Sequence, residues 1–255
     1  MWKLFFSATA LALLSATPGS AVEYPKQATY LIYVGQHEAG KSVITIEQTQ
    51  DALIFHSDNK TQTADFKQIL SCRTEIDRET FRAKRFRYEG EREGQAIVGE
   101  IWVEGDVFNG DITIDGNSFP SKKQVNGVAF FYQNYVIDNQ IAFLNGVVRA
   151  DQGMLDFTAV FPSDFMFSGV SAFVESEIEF KTPNGPRICA RVQFTITNSP
   201  PFWGYLDLDT GLPVYMDYPG SITEVFLLDA YGEKPSPKYT LGQTPDITGH
   251  EGHKH

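Results

Sequence analysis

The residues with the type and spacing for chemistry are few, and they point to ligation and ion pairing more than to catalysis. His250, His253 and His255 form a His-x-x-His-x-His run beside Glu251. Neutral imidazoles are good ligands for zinc, nickel or copper. A polar tail must lose chain entropy to close around an ion, so binding there is expected to be weak. No other cofactor is implied. Of the remaining histidines, His37 reads as a solvated turn residue and His56 ends a strand with no obvious serine or acid partner, so a histidine-based triad is not expected. No glycine-rich phosphate loop, Gly-x-Ser-x-Gly elbow or Cys-x-x-Cys pair occurs. Asp207 and Asp209 flank a turn and are the carboxylates a hydrolase would use, although in an acidic chain they also read as a polar outer face. Glu175, Glu177 and Glu179 share one strand face. Spacing of about 6–7 Å between such neighbours is too open for a compact oxygen cage. Arg73, Arg78, Arg82, Lys84, Arg85, Arg87 and Arg92 are interleaved with acids, which favours cross-strand ion pairs over a phosphate grip.

Elements must hold these residues, and the chain announces them by alternation. Val192, Phe194 and Ile196 alternate with Arg191, Gln193, Thr195 and Thr197; Ile44/Ile46, Leu53/Phe55, Ile112/Ile114 and Leu206/Leu208 repeat the pattern. A period of two marks strands with one buried face. Turn residues punctuate them, as in Asn109-Gly110-Asp111, Asp115-Gly116-Asn117, Asn126-Gly127 and Asp209-Thr210-Gly211. Helical spacing appears only at Phe66, Ile69 and Leu70, and no βα alternation exists. The expected fold class is all-β: a large curved antiparallel sheet, half-barrel or barrel-like, with little or no helix. A three-residue turn at Pro183–Gly185 would set Ile178 against Ala190, Val174 against Phe194 and Glu177 against Arg191; a shifted register would pair Glu179 with Arg191 instead.

The 255 residues divide into three parts. Residues 1–21 read as a signal peptide, with Lys3, an apolar run from Leu4 to Leu14 and small residues before Val22. That run is shorter than the roughly 20 residues of a membrane span, so an integral membrane protein is not expected. Residues 22–232 form a single β domain, and residues 233–255 a flexible tail containing proline and histidine. Export, expected to the periplasm, permits a disulfide between Cys72 and Cys189; two buried free thiols are the alternative. Pairing would close a loop of 117 residues (189 − 72) and be worth about 4–5 kcal/mol. A formal charge of −11 argues against a nucleic-acid partner.

Aromatics crowd the region from Val160 to Trp203, where Phe161, Phe165, Phe167, Phe173 and Trp203 are candidates to line a ligand cavity or simply to fill a core. The first strand is apolar on both parities, Tyr30, Ile32 and Val34 against Leu31 and Tyr33.

Two segments resemble the ends of exported bacterial β-sheet proteins. These are Tyr30-x-x-Tyr33-x-Gly35-x-x-x-x-Gly40-x-Ser42 and Trp203-x-x-x-x-Leu208-Asp209-x-x-Gly211-Leu212-Pro213-Val214, followed by a last strand from Thr223 to Leu228. Their plan is similar to the half-barrel of lipoprotein-localisation carriers, which hold acyl chains in a concave sheet. This chain departs from them in showing no clear helix to plug the sheet. The resemblance implies fold more than function, and the favoured function is that of a non-catalytic, periplasmic binding protein for an apolar or lipid-like ligand. The alternatives are an exported metal-handling protein acting through the histidine tail and a carboxylate-dependent hydrolase. Oligomeric state is not legible.

Overall fold

The structure, a computed structural model, describes residues 22–150 and 153–239. The signal-like segment and His250, His253 and His255 lie outside the described residues.

Fifteen strands follow one another in a single sheet. The first eight are β1 (Gln27–Val34), β2 (His37–Gln48), β3 (Ala52–Gln62), β4 (Lys67–Asp77), β5 (Ala83–Arg92), β6 (Gln95–Glu104), β7 (Val107–Ile114) and β8 (Asn117–Gln124). After the short β9 (Ala129–Phe131) comes a helix, α1 (Ile137–Val148). Then come β10 (Met154–Phe161), β11 (Met166–Thr182), β12 (Gly185–Ile196), β13 (Phe202–Asp207), β14 (Pro213–Tyr218) and β15 (Thr223–Leu227), closed by a one-turn helix, α2 (Leu228–Tyr231). The spatial order runs β8 to β1, then β15 back to β9, so β8 and β9 are free edges and the curved sheet is not closed. Tight hairpins make this possible. At Glu93-Gly94 and Asp115-Gly116 both loop residues have positive φ, the backbone of a turn whose twist matches the flanking strands.

The expected all-β curved sheet is therefore present, with two departures. The pairing of β9 with β10 is parallel, because α1 carries the chain between them. And α1 is a real helix where none was expected. Ten of its twelve residues are buried, so it has no polar face and no amphipathic stripe for a sequence reading to detect. The spacing at Phe66, Ile69 and Leu70 misled in the other direction; Ile69 and Leu70 belong to β4, whose burial alternates residue by residue.

Curvature brings the two ends of the sheet together and creates two inner cores. Around α1, Phe143 meets Phe194 at 4.9 Å, Tyr132 at 5.7 Å and Phe157 at 6.0 Å. Beyond it, Phe131 and Val160 from the β9–β10 edge pack on Leu70, Phe86, Ile97 and Ile101 from β4–β6, with Phe86 and Phe131 centred 5.5 Å apart. Two glycines let the helix approach. A Cβ on Gly204 of β13 would lie 2.7 Å from Leu144 Cδ2, and one on Gly146 of α1 would lie 2.6 Å from the Phe130 ring. The doubly apolar β1 has both faces covered: Tyr30 and Ile32 join the main core, while Leu31 and Tyr33 join Tyr215 and Phe226 in a cluster on the outer face.

The β11–β12 register differs from both expectations. A two-residue loop, Pro183-Asn184, sets Thr182 opposite Gly185, Ile178 opposite Cys189 and Glu179 opposite Ile188. Glu175 is then an extra residue in a bulge, which puts Val174 opposite Val192 and Ala172 opposite Phe194. The bulge restores apolar partners to the inner face after an odd-numbered start. It also turns Glu175 toward Arg191, whose Nε lies 2.8 Å from its Oε2.

The disulfide is absent: Cys72 and Cys189 are both free and buried, one in each inner core. The tail also departs from expectation at its start. Gln36 Nε2 donates to the carbonyls of Pro237 (2.8 Å) and Tyr239 (2.7 Å), and Tyr239 OH donates to Asp217 (2.7 Å), so the chain as far as Tyr239 is docked on the sheet.

Candidate functional site: the tyrosine-lined mouth beside α1

A polar seam inside the sheet positions α1. Ser57 Oγ and Thr74 Oγ1 donate to Asp138 Oδ2 at 3.2 and 2.8 Å, and the Asn139 amide N–H donates to Asp138 Oδ1. Asn139 Nδ2 donates to Thr74 Oγ1, and its Oδ1 accepts the N–H of Gln133. Ser42 and Asn59 extend the seam to Ser57. At the far end of the helix, Asn145 donates to the Gly211 carbonyl and accepts from Tyr24 OH. Burial raises the Asp138 carboxyl to about 6 against the pull of these hydrogen bonds. Burial, then the neighbouring Asp138 charge, pushes the Cys72 thiol well up, which makes it an inert core group. Asp138, Asn139 and Thr74 have no solvent-exposed surface, so this seam holds α1 in place and does not meet a substrate.

Above the N-terminal end of α1 the interior opens. A cavity of about 140 Å³ is lined by Tyr132, Tyr135 and Tyr218, with Ile137, Gln140 and Val225 among the other lining residues. Tyr135 holds φ at 62°, a backbone conformation bulky residues rarely adopt, where the chain turns into the helix. Burial raises all three tyrosines above the ordinary phenol range, so at neutral pH they present hydroxyls and not charges. The cavity wall runs into the aromatic core: Tyr218 stacks on Phe202 at 4.8 Å, and Phe202 on Phe194 at 4.9 Å. None of this was legible in the sequence, because the lining comes from two distant stretches, 132–140 and 218–225, whose meeting depends on the curl of the sheet.

The five aromatics singled out from the sequence do not share a surface. Phe161 packs 5.3 Å from Tyr132, near the mouth. Phe165 and Phe167 lie 5.1 Å apart in the second inner core, where Phe167 also carries Lys123 Nζ 4.4 Å over its ring. Phe173 and Trp203 lie on the outer face, each opposite Gln193 of β12. Asp207 is buried, bound by Arg187 at 3.2 Å and accepting the Asp209 N–H at 2.9 Å, which commits it to its turn. Glu175 accepts from Trp203 Nε1, and no group of His, Cys, Asp and Glu with metal-site geometry occurs among the described residues. His56 Nε2 lies 3.6 Å from Glu47, with both side chains exposed.

A larger, shallow groove of about 540 Å³ crosses the outer face of β4–β7 past Arg73, Arg87, Glu100 and Trp102. Its arginines are spent on neighbours, Arg73 on Glu75 and both Arg85 and Arg87 on Glu100, at 2.9 to 3.1 Å. The ion-pair reading of this arginine-rich stretch is the one the geometry supports.

The chain is similar to a solved β-barrel-like protein of the domain family DUF1849, of unknown function, from Brucella abortus. The TM-score is 0.51 at 11% identity, over 79% of this chain and 94% of that one. That likeness is one of fold. A DUF1089-family protein from Pseudomonas aeruginosa is similar at a TM-score of 0.44 and 12% identity, over 71% of this chain and 90% of that one. No family model matches the chain, and no curated protein matches it significantly. No helix among the described residues is long and apolar enough to cross a membrane.

Proposed function

We propose that this is a non-catalytic binding protein for an apolar or lipid-like ligand, exported through the segment Met1–Ala21. The observation that carries the reading is the mouth cavity, whose wall includes Tyr218, a ring that stacks in turn on Phe202 of the aromatic core. Its lining holds no thiol, imidazole or carboxylate, so it has neither a strong nucleophile nor a general base. It can bind but is not equipped to react. At about 140 Å³ it is smaller than the roughly 300–1,000 Å³ of ordinary ligand sites. It therefore takes one end of a ligand, and the helix and β9–β10 edge fill the rest of the concavity.

The test is displacement of a fluorescent acyl probe from the mature chain, with Val225→Trp as the blocking variant. Val225 is buried in the cavity wall, and an indole there fills the space. Saturable binding that Val225→Trp abolishes supports the reading. Absence of binding by the parent, or unchanged binding by the folded variant, overturns it.

A further inference from the structure

Burial decides what an entering group touches. Of the residues lining the mouth, Ile137 and Val225 have 0% and 2% of their surface exposed, and Tyr132, Gln140 and Thr223 are buried as well. The accessible wall is left to Tyr135 and Tyr218, both partly exposed, with Asn134 and Ser221 exposed at the rim. A ligand therefore meets phenol rings before it meets any aliphatic side chain. Each of the two rings is backed by another. Tyr135 lies 5.5 Å from Phe66, and Tyr218 lies 4.8 Å from Phe202 at an interplanar angle of 20°. Phe202 in turn stacks on Phe194 at 4.9 Å and 18°.

Tyr218 is thus the end member of a three-ring stack that runs from the core to the cavity. One of its faces lies on Phe202, and its hydroxyl edge is held among Tyr132, Gln140 and Met216. The surface it leaves to the mouth is its second face, which is where a fourth ring would continue the stack. The size of the opening agrees. Its volume of about 140 Å³ is close to the roughly 150 Å³ of an engineered cavity that holds one benzene. Charge is disfavoured in either sign. The buried Asp138 in the first turn of α1 repels an anion, and a cation would stand at the positive end of the helix dipole with no carboxylate in the lining. Both lips are held in left-handed backbone, Tyr135 at φ 62° and Ile222, between Ser221 and Thr223, at φ 47°. Strain of this kind in bulky and β-branched residues concentrates at ligand clamps.

We propose that the mouth takes a single uncharged aromatic ring, stacked on Tyr218 beside Tyr135, as the head of an otherwise apolar ligand that leaves past Asn134 and Ser221. The proposal rests on the apolar-ligand reading above and narrows it from alkyl to aryl heads.

Three alcohols of equal carbon number test it on the mature chain, each scored by displacement of the acyl probe: phenylhexanol, cyclohexylhexanol and dodecanol. Phenylhexanol is expected to bind about fivefold more tightly than cyclohexylhexanol, from the added attraction of a stacked ring pair, and more tightly than dodecanol. The phenyl preference should survive in Tyr218→Phe, which keeps the ring, and fall to near unity in Tyr218→Leu, which removes it. Tyr218→Met takes its place if the leucine variant fails to fold. Equal binding of the phenyl and cyclohexyl alcohols by the parent, tighter binding of dodecanol, a preference lost in Tyr218→Phe, or one that persists without the ring each overturns the aryl assignment while leaving the apolar-ligand reading intact. Stronger displacement by hexyltrimethylammonium than by phenylhexanol would give the rings to a cation and overturns it too. Binding of none of these, nor of the acyl probe, overturns both readings.

Discussion

Asp217 on β14 and Glu224 on β15 stand directly opposite each other across the outer face of the sheet, and both are buried. Two like charges in register repel, so the pair requires compensation. It comes from the tail. Lys238 Nζ lies 2.5 Å from Asp217 Oδ2, the Lys238 N–H donates to Glu224 Oε2 at 2.8 Å, and Tyr215 OH donates to Glu224 Oε1. Burial, with both carboxylates adjacent, pushes the Tyr215 phenol far up, so it remains a donor. The first residues of the tail are thus part of the fold. Ending the chain at Lys234 should lower stability by about 2 kcal/mol, since it leaves opposed carboxylates under-satisfied. Adding Asp217→Asn to the truncated chain should restore part of that loss. Urea midpoints of the three chains measure it, and equal midpoints for full-length and truncated protein would contradict the docking.

Removal of residues 249–255 is a different matter. These residues include no apolar side chain, so their loss should cost well under ~0.5 kcal/mol while abolishing nickel or zinc binding. Acid should release the metal as the imidazoles protonate near their usual pKa of about 6.5. Titration calorimetry on the shortened chain decides it, and stoichiometric binding after truncation would place the metal elsewhere.

Asp138 predicts a pH dependence with an uncommon sign for a carboxyl group. Its folded pKa, about 6, lies above the reference 3.8, so the folded chain holds the proton more tightly than the unfolded one. The contribution is fully present below about pH 4 and is lost as pH rises through 6. The loss is about 3 kcal/mol, from some two pKa units at 1.36 kcal/mol each. In Asp138→Asn that component should disappear, flattening the stability profile between pH 4 and 6 relative to the parent. Unfolding free energies at pH 4, 5, 6 and 7 for both chains provide the comparison.

The cysteines should behave as two free thiols. Because both are buried, maleimide labelling of the folded chain should be slow, and denaturant alone, without reductant, should make both react. Intact-mass measurement counts the adducts. A requirement for reductant would restore the disulfide.

Gly204 tests the seating of the helix. Its missing Cβ leaves room for Leu144, which has no exposed surface and nowhere to move. Gly204→Ala should cost about 1–3 kcal/mol by overpacking. Combined with Leu144→Ala, it should cost less than the sum of the two single changes, with a coupling near 1 kcal/mol. Strict additivity would mean that the two residues do not meet.

By itself the sequence determined the strands. Alternation in segments such as Val192–Ile196, and turn pairs such as Asp115-Gly116, are local, because which face a side chain takes depends only on the parity of its neighbours. It also determined the salt-bridged character of the Arg73–Arg92 stretch, where acids and bases alternate within reach. Tertiary structure alone decided the rest. Helix α1 has a nearly uniform burial that only a surrounding sheet can create, so Ile137–Val148 carries no amphipathic period. The β11–β12 register turned on one bulge residue, Glu175, whose cost and gain depend on the strands either side. Cys72 and Cys189 lie in different cores because the two halves of the sheet curl around different fillers. The mouth exists only where Tyr132, Tyr135, Gln140, Tyr218 and Val225 meet, and contacts between residues so far apart in the chain follow from how the whole sheet curls, which no local pattern records.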